Sequence, residues 1–146
     1  MHRKVKSKVD SPENLVRYAV ELRRHRDEEF DEVWCVVDVD EFDIERAAGL
    51  ARRHGVQLAV SNPCFEYWLL LHFKDHVSFL DGYKGVRAVL GKYVSGYDKK
   101  LDFTLFEPKV EDAVRRAKDA GRIGQEHAVN PSTGVWRLVE RVVDAP

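Results

Sequence analysis

At 146 residues and 44% hydrophobic content, the chain is long enough for one globular domain to bury its own core without staples. Lys and Arg total 24 against 25 for Asp and Glu, so no general basic field marks a non-specific nucleic-acid binder, and any such contact has to be local. Cys35 and Cys64 sit in apolar runs, the N-terminus lacks an apolar leader, and Trp68 to Leu71 is too short to span a bilayer, which together predict a cytoplasmic protein with reduced thiols and no membrane partner.

In chain order, Val5, Ser7 and Val9 alternate with lysines and predict a short edge strand. Ser11 and Pro12 open a helix whose apolar stripe is Leu15, Tyr18, Ala19 and Leu22 and which ends in the charged stretch from Arg23 to Glu29. Val33 to Val37 is apolar throughout, the pattern of a strand buried on both faces, and is expected to be central in the sheet. A loop from Asp38 to Asp43 leads to a helix from Ile44 to His54, stopped by Gly55. A strand from Val56 to Val60 follows, and Asn62-Pro63 starts a second buried helix from Phe65 to Phe73.

Beyond Lys74 the periodicity weakens into loops and short helices over residues 77–97. An amphipathic helix carries Val110, Ala113, Val114 and Ala117 and ends near Gly121, and Thr133 caps a last one with Val135, Leu138, Val139 and Val142. Strands alternating with helices through short connections predict a single α/β domain with a small, mainly parallel sheet. Residues 1–76 would form its core and residues 77–146 a mostly helical extension.

Asp38 and Asp40 follow the most apolar strand, and their spacing sets both carboxylates on one side of an extended chain. Ligands of open parallel sheets gather at such strand ends, and Mg²⁺ needs only one or two carboxylates beside water and phosphate oxygens. The same two residues, with Glu41, Asp43 and Glu45, can instead stabilise the positive end of the next helix. Glu66 falls in the first turn of the helix after the neighbouring strand, as a third site carboxylate or simply as a favourable helix-start charge.

His72, alone on an apolar helix, is expected to be a core residue. Lys92, Lys99 and Lys100, with Lys109, Arg115 and Arg116, are interleaved with Tyr93, Tyr97 and Phe103; they can line a nucleic-acid path or form an ordinary solvated face. No Gly-rich phosphate loop, Cys/His cluster or Ser/His/Asp arrangement competes with the carboxylates.

The run from Ala59 through Asn62, Pro63, Cys64, Phe65 and Glu66 to Phe73 resembles the signature stretch of the RloB-like family of Toprim-fold proteins. Val36 to Phe42, Gly96-Tyr97-Asp98-Lys99 and Asn130 to Val139 are similar to further family segments in the same order. The resemblance implies a Toprim-like three-layer α/β fold and Mg²⁺-dependent phosphodiester cleavage of RNA or DNA in prokaryotic phage defence, with Mn²⁺ as a substitute metal. Asp38 and Asp40 match the Toprim D-x-D metal pair, Glu66 matches the signature glutamate, and an ATPase of the AAA or ABC type is the implied partner.

One departure stands out. The family pattern opens with a strand and an E-G-x-x-T-E glutamate, and no such segment precedes Val5. Three explanations follow from the resemblance: the chain is a shortened form, another chain supplies the element, or catalysis has been lost in favour of binding an ATPase or nucleic acid. A missing first strand would also expose a sheet edge and predicts self-association into a homo-oligomer.

Overall fold

The computed structural model describes residues 11–24, 32–39 and 44–143; the expected edge strand over residues 4–9 lies outside them. Helix α1 (Pro12–Arg24) begins where the Ser11 hydroxyl accepts the Asn14 N–H at 3.3 Å. Its buried face is Val16, Ala19 and Val20, so the stripe is rotated from the expected one, with Tyr18 and Leu22 left half-buried. Strand β1 (Trp34–Asp38) leads through residues 40–43, which are not described, to α2 (Ile44–His54). Helix α2 buries Ile44, Ala47 and Ala51 at helical spacing and gives way to Gly55 at φ +68°, a left-handed conformation that glycine adopts without steric cost.

Strand β2 (Gln57–Asn62) runs parallel to β1, with Trp34 opposite Gln57 and Asp38 opposite Ser61. A two-residue strand, β3 (Ser132–Thr133), pairs antiparallel with the end of β2, and the sheet order is β1-β2-β3. Among the described residues the central strand is therefore β2, not the apolar run ending at Val37. Among the described residues β1 lies at an edge, and Val36 is 40% exposed. The sheet is small and mixed, and the chain is α/β.

Helix α3 spans Glu66–Leu70, shorter than the expected Phe65 to Phe73. His72 N–H bonds to Leu69 and Phe73 N–H to Leu70, so the chain tightens into turns after Leu70 although its residues stay largely buried. The remaining helices are α4 (Gly82–Leu90), α5 (Phe103–Phe106), α6 (Val110–Ala120) and α7 (Val135–Val143). The Thr133 hydroxyl accepts the Val135 N–H at 3.3 Å, so Thr133 caps α7 as expected.

Each face of the sheet carries its own core. Val16, Val20, Ile44, Ala47 and Ala51 of α1 and α2 pack with Cys35, Val37 and Val60 on one side. On the other, Ala59 of β2 meets Tyr67, Trp68 and Leu70 of α3, which pack against Val86 and Leu90 of α4 and Ala113 and Ala117 of α6. The result is three layers, with α3 starting directly after the C-terminal end of β2.

Candidate carboxylate site

The parallel register brings the C-terminal ends of β1 and β2 side by side, so the residues that leave each strand meet. Asp38 closes β1, and its Oδ1 accepts the Phe65 N–H at 2.8 Å, tying the strand end to the start of α3. Between them the chain passes through the cis Asn62-Pro63 peptide and Cys64. The Asn62 amide donates to the carbonyls of Glu126 and His127 at 3.1 and 3.2 Å, and the Ser61 and Thr133 hydroxyls share a hydrogen bond of 2.7 Å. These contacts lock the end of β2 against the residues around β3.

Glu66 is the first residue of α3 and is only 5% exposed. Its Oε2 accepts a hydrogen bond from the Tyr97 hydroxyl at 3.0 Å. Among the described residues no Lys, Arg or His forms an ion pair with it. A buried carboxylate is normally offset by a cation; here the Tyr97 hydroxyl, a neutral donor, holds it instead.

Cys64 is close enough to both carboxylates to feel their charge. Burial first, then the charges of Glu66 and Asp38, push its thiol up to about 12, so it stays protonated at neutral pH. Burial, followed by the Glu66 charge, likewise raises the Tyr97 phenol and keeps its proton in place. Tyr97 is 6% exposed and sits in a turn flanked by two left-handed residues, Gly96 at φ +66° and Lys99 at φ 73°. The Lys99 ammonium lies 4.7 Å from the centre of the Tyr83 ring.

Asp38 and Glu66 are thus brought to one place, whereas Asp40 falls outside the described residues. Among the described residues no group of three or more His, Cys, Asp or Glu is set to hold a metal ion. Lys92, Lys99 and Lys100 are all exposed, and the Lys99 ammonium packs over the Tyr83 ring. His72 is 3% exposed, its Nδ1–H donates to the Trp68 carbonyl at 2.9 Å, and its ring lies edge-on to Trp68 and Phe106, a core histidine as expected. Sequence reasoning passed over Cys64 as a site neighbour and read Tyr97 only as a stacking residue.

A family model described as RloB-like protein matches residues 1–142. The chain belongs to the RloB-like family. No curated protein and no solved structure matches this RloB-like chain. Among its described residues no helix is long and apolar enough to cross a membrane.

Proposed function

We propose that this RloB-like chain is a Toprim-type, metal-dependent nuclease of prokaryotic phage defence, working in the cytoplasm on RNA or DNA beside an ATPase partner. The observation that carries the reading is Glu66, a buried carboxylate with no ion-paired cation among the described residues, near Asp38 at the end of a parallel strand pair. Hard carboxylate oxygens of this kind suit Mg²⁺ or Mn²⁺ rather than a thiolate-seeking metal.

In this reading Asp38 and Asp40 hold the ion, which when bound supplies charge to a scissile phosphate and its leaving oxygen. Asp38 is oriented for that task by the Phe65 N–H, and Glu66, whose Oε2 is held by the Tyr97 hydroxyl, would offer its carboxylate to the same ion. Lys92, Lys99 and Lys100, all exposed, contact the phosphate backbone.

End-labelled RNA and DNA strands incubated with the chain and Mg²⁺ test the proposal. Cleavage that stops on chelation and falls at least about 100-fold in Asp38→Asn is expected. Cleavage equal in wild type and Asp38→Asn, or none in the presence of either metal, contradicts it.

The second reading, a module that binds an ATPase, nucleic acid or its own copy without cutting, is favoured by one observation. Strand β1 is an edge among the described residues, and Val36 is exposed on it, the kind of surface that pairs with another chain.

A further inference from the structure

We infer that Tyr97 is a positioning residue for Glu66, holding its carboxylate aimed at a bound cation while leaving the charge unneutralised. This rests on the reading of the strand end as a cation site. The hydroxyl reaches Oε2 at 3.0 Å across 31 residues of chain, and both residues are more than nine-tenths buried.

The turn that delivers the phenol is unusual in its backbone. Gly96 has φ +66°, and a Cβ there would meet nothing within 4 Å, so glycine serves the conformation rather than the space. Lys99 adopts φ 73° with a full side chain, a conformation that costs about 1 kcal/mol or more and persists where the surroundings impose it. Asp98 closes the turn by accepting the Lys100 N–H at 3.2 Å, and the Lys99 ammonium packs over Tyr83. Strain is held at Lys99, two residues beyond the buried hydroxyl, whereas Gly96 adopts its left-handed conformation without cost.

The chemistry of the donors separates support from neutralisation. A lysine or arginine at this position would satisfy Glu66 and compete with any metal. A phenol fixes one oxygen by a hydrogen bond and brings no charge. Such supports of metal-site carboxylates are worth about 10–100-fold in affinity.

The test is a double-mutant cycle in the full chain: Tyr97→Phe, Glu66→Gln and the pair, each titrated with Mn²⁺ by calorimetry and followed by thermal unfolding. Phe keeps the ring packing and removes only the hydroxyl, so the melting temperature is expected to move by a few degrees while Mn²⁺ binding weakens about 10-fold. In the Glu66→Gln background the same change is expected to add nothing, because the hydroxyl acts through the carboxylate. Wild-type affinity in Tyr97→Phe, or an equal loss in both backgrounds, overturns the inference alone. A wild-type chain that takes up no Mn²⁺ defeats the cation-site reading, and the inference falls with it.

Discussion

Asp38 Oδ1 accepts the Phe65 N–H at 2.8 Å, so the last residue of β1 anchors the first turn beyond β2. The bond joins two elements whose sequence positions are 27 residues apart and sets where α3 begins. It also separates the structural part of Asp38 from its charge.

Asp38→Ala removes the acceptor and leaves a partly buried N–H unpaired, and is expected to destabilise the chain by about 1–3 kcal/mol. Asp38→Asn keeps a carbonyl oxygen at the same reach and should unfold close to wild type. Urea unfolding of the three proteins at one pH measures both differences; equal stability of Asp38→Ala and wild type would show that the bond contributes nothing.

Burial lowers the His72 imidazole below its usual 6.5, against the opposing effect of its bond to the Trp68 carbonyl. The folded state therefore holds it neutral, and the unfolded chain takes up a proton first as pH falls. This stability is fully present above 6.5 and is lost progressively as pH drops from 6.5 through the lower folded value. Urea midpoints measured between about pH 7.5 and about pH 5 should fall more steeply in wild type than in His72→Leu, which has no proton to gain. Parallel pH profiles for the two proteins would remove His72 from the account.

The Thr133 hydroxyl serves Ser61 and the Val135 N–H together, and both Thr133 and Ser61 are fully buried. Thr133→Val keeps the shape and strands both partners, so a loss of about 1–3 kcal/mol is expected in the same unfolding measurement. A near-neutral effect would mean that β3 is held by its other contacts, among them the Ser132 hydroxyl on the carbonyls of Glu126 and Val129.

Much of the α/β core is legible from local signals. Ile44 to His54 is a helix with its glycine stop, and Ser11 caps the helix that follows it. What local pattern could not reveal is pairing at a distance: β3 is two residues, Ser132 and Thr133, whose partners are Asn62 and Ser61 far back in the chain, and it shifts the centre of the sheet onto β2. The all-apolar run after Pro63 specified burial correctly but not hydrogen-bond period, because a buried turn and a buried helix demand the same side chains.

Of the site, Asp38 and Glu66 were readable from their places at a strand end and a helix start. Tyr97 was not, because its contact with Glu66 depends on how α4 and the left-handed turn at Gly96 and Lys99 fold back over α3. The short segment Gly96-Tyr97-Asp98-Lys99 carried the signal without its meaning.

Metal binding precedes every catalytic statement made for this chain, and calorimetric titration of Mg²⁺ and Mn²⁺ into wild type and Asp38→Asn/Asp40→Asn tests it most directly. Saturable binding in the wild type that disappears in the folded double variant is the predicted result. Absence of binding in both, or equal binding in both, would contradict a cation site at the end of β1 and leave the interaction module as the better account of this RloB-like chain.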